Sequence, residues 1–353
     1  MIKELNPVRL IRVVAILAAV LLGFDQINSF AANKVIMNLP ATASGMEIQK
    51  ALDDLPPGGE AVLESGEYEI HQPLMLQHDD VTLRGAGLST VLRLADNANC
   101  PVVLLAPPLS ETKRAVTHLH LADLVIDGNR QHQNTEFWRS AGDGSEINNN
   151  GVQIWNATDA LVERVVCFDC RSGGLVTALT RHLVLRDFDS YGNQFDGLAC
   201  YQTEECQLDG LKLHDNLGAG ISLDLAFNHN YISNAEMANN DLGIFMRDSR
   251  DNVFHGLNIA KSHNAGVFMA QADRPTEKGW ALAPGTECTG NSFQDLTVHD
   301  CGGRAFLVND LSCTNNPVSG ANFLRNAMDA VAERPAKPAA AATVISLGTV
   351  GIR

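Results

Sequence analysis

Basic side chains are scarce in this chain: 26 Lys and Arg stand against 41 Asp and Glu among 353 residues, a formal charge of −15. That balance excludes nucleic-acid backbones and anionic lipid surfaces as natural partners, since both need clustered cations. Aromatic residues are few at 6%, and charged residues reach only 19%. No apolar run approaches the roughly 20 residues of a spanning helix, so a multi-span membrane protein is excluded. The 45% hydrophobic content likewise excludes a disordered or collagenous chain and supports a large core in one or two domains.

The first residues carry Lys3, Arg9 and Arg12, then an uncharged stretch from Val13 to Phe24, then Ser29-Phe30-Ala31. This reads as a cleaved signal peptide over 1–31 and predicts a secreted or periplasmic protein with no stable membrane insertion. Cleavage would move the formal charge from −15 to −16, because three basic and two acidic side chains leave. Eight cysteines in an oxidising compartment predict some pairing. Cys167 and Cys170 have metal or redox spacing, but no second such pair follows, so no metal site is assigned.

Glycine supplies the main signal. Gly151, Gly174, Gly197, Gly220, Gly243 and Gly266 are spaced 23 residues apart, each opening a short strand-like segment: GVQIW, GGLVTA, DGLACY, AGISLD, LGIFMR, AGVFMA. A seventh, RAFLVN, follows after 16 extra residues. Alternation turns Val152, Leu175, Leu198, Ile221, Ile244 and Val267 inward, with Ile154, Thr177, Cys200, Leu223, Met246 and Met269 two residues later. A preceding column, Cys170, Asn193, Asn216, Asn239 and Ser262, suits a ladder of stacked turns. Two further short apolar runs per repeat make three strands per coil, the pattern of a parallel β-helix. With the insertion removed, Cys288 and Cys313 fall at the same turn one coil apart, which predicts a disulfide between them.

Residues Met46 to Leu94, with IQKALDDLPPGGEAVLESGEYEIHQPLMLQHDDVTLRGAGLSTVLRL, resemble the start of pectate-lyase-like proteins, and the likeness continues through VIDGNR (Val125 to Arg130) and the repeats to about Leu324. The resemblance implies an all-β, right-handed parallel β-helix of ten to twelve coils over 32–326. A helix at 45–55 would cap its first coil, with Ile48, Leu52 and Leu55 as apolar stripe. Loops are expected at 130–149 and 273–289, and an Ala- and Pro-rich tail, loosely packed, at 327–353.

The fourth position after each glycine faces outward and reads Trp155, Ala178, Tyr201, Asp224, Arg247 and Ala270. The resemblance implies a polysaccharide groove on this face and a polysaccharide lyase or C5-epimerase acting on a uronate-containing chain. Arg247 would neutralise the uronate carboxylate, Tyr201 would exchange the proton, and Asp224 would orient Arg247 or bind a cation, calcium being the one cofactor considered. Trp155, Ser222, Phe245, Asp248, Phe268 and Gln271 are expected to bind substrate, with His229, His214 and Glu204 as further proton-transfer candidates. Hydrolase and alginate-epimerase signatures of the fold are absent. Two alternatives stand beside this reading: a glycoside hydrolase using a carboxylate pair such as Asp224 with Asp248 or Glu204 with Glu205, and a non-catalytic glycan-binding or structural β-helix. In the last case Tyr201, Asp224 and Arg247 form a plain ion pair with an aromatic neighbour. A monomer is expected.

Overall fold

A computed structural model describes residues 34–107, 114–134, 149–276 and 279–333. The expected signal peptide at 1–31, most of the expected loop at 130–149 and the end of the expected tail lie outside the described residues. Over the described residues from Ile36 to Glu333 the chain is a right-handed parallel β-helix, with every ladder among them parallel except one hairpin.

Each coil supplies a strand to a 14-stranded sheet, here the first face, and strands to a 17-stranded sheet that turns a corner into a second and third face. Ten stacked strands run along the first face, from Leu74–Leu76 through Val103–Leu105, Val152–Trp155, Leu175–Arg181, Leu198–Glu204, Ala219–Asp224 and Leu242–Arg247 to Val267–Ala270, Arg304–Val308 and Met328–Glu333. Register matches the glycine spacing: Val152 pairs with Leu175, Leu175 with Leu198 and Leu198 with Ile221. Both inward columns are fully buried. The 16-residue displacement is also present, since Val267 pairs with Phe306.

The corners demand a backbone that few residues adopt. Between the second and third faces, Asp187, Gly210, Asn234 and Gly256 occupy the left-handed region in successive coils, with φ of 48°, 67°, 49° and 64°. Glycine takes that conformation without steric cost, and Asn and Asp tolerate it better than other side chains.

Helix α1 spans Gly45–Asp54 and buries Ile48, Leu52 and the following Leu55 against the first coil. Ser44 caps it: the Glu47 N–H donates to Ser44 Oγ at 3.3 Å, and the Ser44 N–H donates to Glu47 Oε2 at 2.7 Å. The second insertion is an antiparallel hairpin, Asp273–Thr276 with Gly279–Leu282.

Three details differ from expectation. The tail does not begin at 327, because Met328–Glu333 is the last first-face strand, paired with Arg304–Val308. The turn ladder runs Asn193, Asn216, Asn240 rather than through Asn239, whose amide instead reaches Asp215 on the surface. A second ladder, Asn230, Asn252, Asn291 and Asn316, stacks at another corner. Cys288 and Cys313 do sit one coil apart, with the Cys288 N–H 3.4 Å from Cys313 Sγ, and both are thiols in this structure.

Candidate active site

The expected stripe is assembled as the register requires. Tyr201 is the pairing partner of Asp224, and Arg247 lies on the next strand, all three on the outer side of the first face. Their environment differs from the expected open groove. Tyr201 is 6% exposed and Asp224 3%, so this is a buried ion pair with a buried phenol. Arg247 donates from Nε to Asp224 Oδ2 at 3.1 Å and from Nη1 to Asp273 Oδ1 at 3.3 Å, and its guanidinium lies 5.2 Å from the Phe245 ring centre. Two carboxylates already satisfy it, which argues against the role of neutralising a substrate carboxylate. Arg250 is similarly engaged by the Gly285 carbonyl and Glu287.

Asp224 is held from its own backbone as well, with the Leu225 N–H donating to Oδ1 at 2.7 Å. Leu225 and Ala226 follow with φ of 55° and 71°, two consecutive non-glycine residues in the left-handed region. They absorb one extra residue in this coil, so that Glu204 pairs with Asn228 at a separation of 24 while Tyr201 and Asp224 keep 23. Such bulges re-aim side chains and carry backbone strain.

One residue of this face escaped the sequence reading. Asp196, immediately before Gly197, is buried on the same side of the sheet; its Oδ1 accepts the Ala219 N–H at 2.6 Å, and its Oδ2 is a buried oxygen without a hydrogen bond of good geometry. Burial is the main cause that pushes its carboxyl up to about 7, with the Asp241 charge adding to it, while the Ala219 N–H and the Ser222 hydroxyl pull the other way. Burial likewise raises the Tyr201 phenol well above its ordinary value, helped by Asp196 and Asp224, so it stays neutral. The available signal was positional: other coils carry Asn150, Gly173, Ala219 or Leu242 at this place, and Asp196 is the carboxylate among them.

The remaining candidates fall into distinct settings. Trp155 is buried among Val176, Ala178, Ala199 and Tyr201. Ser222 sits beside Asp196. Phe245 and Phe268 stack on each other, centres 5.6 Å apart. Gln271 fastens the hairpin loop, donating to the Ala283 carbonyl at 2.7 Å and accepting from Ser312 at 2.9 Å. Asp248 and His229 are turn residues with φ of 45° and 59°. Glu204 pairs with Arg181 and Glu205 with His182, on neighbouring ladders, so they do not form a free acid pair. His214 belongs to the third face, stacked on Tyr191. Among the described residues no group of three or more His, Cys, Asp or Glu side chains is arranged to hold a metal ion, and no helix is long and apolar enough to cross a membrane.

Fold and register define a right-handed parallel β-helix. The family model described as "Right handed beta helix region" matches residues 185–334. Among solved structures, the mannuronan C-5 epimerase A-module of Azotobacter vinelandii is similar at 16% identity, covering 85% of this chain and 96% of that one, with a TM-score of 0.51. The endo-xylogalacturonan hydrolase of Aspergillus tubingensis is similar at 11%, covering 83% and 93%, with a TM-score of 0.55. The pre-mature gene product 12 of bacteriophage phi29 gives 11%, 89% and 44%, with a TM-score of 0.61. No curated protein matches the sequence. Likenesses at these identities establish the fold.

Proposed function

We propose that this chain is a secreted or periplasmic carbohydrate-active enzyme that works on a polysaccharide by general acid–base catalysis on the outer side of its first face. The observation that carries the reading is a pair of carboxyls in contrasting settings around one phenol: Asp196, pushed up to about 7 by burial, and Asp224, ion-paired with Arg247. Carboxyls whose surroundings separate them in this way can divide acid and base roles. Asp196 donates the proton to the departing glycosidic oxygen, and Asp224 acts as base or nucleophile. This form of the reading is a hydrolase, and the satisfied state of Arg247 favours it over chemistry on a uronate.

The lyase or epimerase reading keeps one specific support, the neutral Tyr201 phenol, which can deliver a proton to a sugar carbon or a leaving oxygen. Both readings are tested by incubating the purified chain with neutral and uronate polysaccharides, scoring reducing ends, unsaturated ends and C5 inversion separately. Reducing ends without unsaturation support the hydrolase. Unsaturated ends or inversion on uronates replace it with the lyase or epimerase, and retention of a glycan without turnover shows a binding protein instead.

A further inference from the structure

The third face carries a second constellation that the candidate active site does not use. A hollow of about 230 Å³ opens there, and the VIDGNR segment contributes Asp127, Asn129 and Arg130 to its wall, with Arg93, His132 and Phe168 among the other residues that line it. Asn129 is its hub. Held at φ 47°, it donates to the Leu94 carbonyl at 2.9 Å and Asp96 Oδ1 at 2.8 Å, and it accepts from Arg93 Nη2 at 3.0 Å and His132 Nδ1 at 2.7 Å. Arg93 is also paired with Asp127, and Arg130 lies 3.5 Å from Asp169. The wall is fixed before any ligand arrives: the Arg130 N–H donates to the Asp169 carbonyl at 2.8 Å, and buried Gln133 donates to the Ala95 carbonyl at 3.0 Å.

One benzene ring, that of Phe168, lines the hollow. Phe168, Tyr191 and His214 stack along the coil axis with centres 5.4 and 4.9 Å apart and planes within 10°. Tyr191 covers the ring face of Phe168 toward the following coil, and the hollow lies on the side of the preceding coils, where Phe168 pairs with Asp127. Charge is balanced, with two arginines against Asp127 and Asp169, so the hollow is walled by planar polar groups largely paired with one another, without a net attraction for an anion. Among the described residues the Arg130 Nε is a buried donor without a partner. Vicinal hydroxyls over an aromatic face are the complement of such a wall, and a preformed site binds without paying for its own ordering.

We infer that this hollow is a second glycan-binding site, taking one ring of a neutral oligosaccharide against Phe168, on a different face from the candidate active site and independent of the reaction proposed there. The test is calorimetric titration of the full chain with cellohexaose, maltohexaose and hexagalacturonate, in the native protein and in Phe168→Leu and Arg130→Ala. Leucine keeps apolar bulk beneath Tyr191 while removing the ring. At least one neutral hexamer should bind, at least tenfold tighter than hexagalacturonate, and each variant should weaken it at least tenfold with an unchanged melting temperature. Binding should persist in Asp224→Asn, and both third-face variants should keep any turnover shown by the Asp196–Asp224 site. Absence of neutral-hexamer binding, indifference to both variants, or preference for hexagalacturonate would overturn the inference.

Discussion

Asn150 and Asp196 stand in one turn column two coils apart, and each side chain accepts the N–H of the residue 23 positions on, Gly173 and Ala219. Asparagine does this without charge, whereas Asp196 must hide an ionisable group. Its folded value, about 7, lies above the roughly 3.9 of an unfolded aspartate, so its contribution is fully present below pH ~4 and is lost as pH rises through about 7. Asp196→Asn should therefore be more stable than the native chain at pH 8, by a few kcal/mol on an order-of-magnitude basis, with the advantage gone at pH 4. Urea melts at both values check this, and the same variant should lose roughly 100-fold in turnover on any substrate found. Arg247 gives a prediction of opposite sign. An exposed pair would be worth at most about 1 kcal/mol, but Asp224 is buried, so Arg247→Ala should cost about 3–5 kcal/mol by stranding that charge. Adding Asp224→Asn should restore part of the loss, read as coupling in a double-mutant cycle, and a single-variant cost under 1 kcal/mol would show that the pair is solvated. The stripe itself was legible because outward alternation follows from strand period. Its burial was not, since period tells which side a residue faces and not what else packs there.

At the scale of the turn, an asparagine ladder pays attention to backbone position, not to the glycine count. Gly220 and Gly243 are 23 apart, yet Asn216 and Asn240 are 24 apart because the bulge at Leu225–Ala226 adds a residue that is removed before Leu242. Glycine spacing is blind to an insertion that is compensated within one coil, which is why Asn239 looked like the ladder residue. The second ladder was hidden for a related reason: its steps from Asn230 are 22, 39 and 25 residues, with the hairpin insertion inside the long one. Asn252, at its middle, donates to the Phe227 carbonyl at 2.9 Å and Asn291 at 2.8 Å and accepts from Asn230 at 3.1 Å, all in buried surroundings. Asn252→Ala should destabilise by about 1–3 kcal/mol by leaving those groups unpaired, and chemical denaturation of the variant measures it. The neighbouring corner holds Cys288 and Cys313, whose approach we propose becomes a disulfide on export to an oxidising compartment. Peptide mapping without reduction should then recover them linked, and recovery of either as a free thiol removes the bond.

At the scale of the solenoid, stacking is nearly one-dimensional: among the described residues each first-face strand bonds only to strands of the adjacent coils. Stability in such a chain is a sum of local coil terms and neighbour interfaces, and its ends are the places where an unpaired strand edge could recruit another chain. Helix α1 closes one end through Ile48, Leu52 and Leu55, buried to 5% exposure or less, and the amphipathic spacing of those three residues makes the cap legible in the sequence. The opposite end was not readable in the same way, because Met328–Glu333 is a strand in a segment whose Ala- and Pro-rich continuation resembles a tail. Leu52→Asp should detach the cap, since a lone carboxylate beneath the helix costs several kcal/mol. One-dimensional coupling predicts a local outcome. Hydrogen exchange should show lost protection over Glu60–Leu76 while Leu175–Arg247 stays protected, and light scattering should show concentration-dependent association through the uncovered edge. Uniform loss of protection along the solenoid would mean that the coils unfold as one cooperative unit and that the cap stabilises all of them rather than the first.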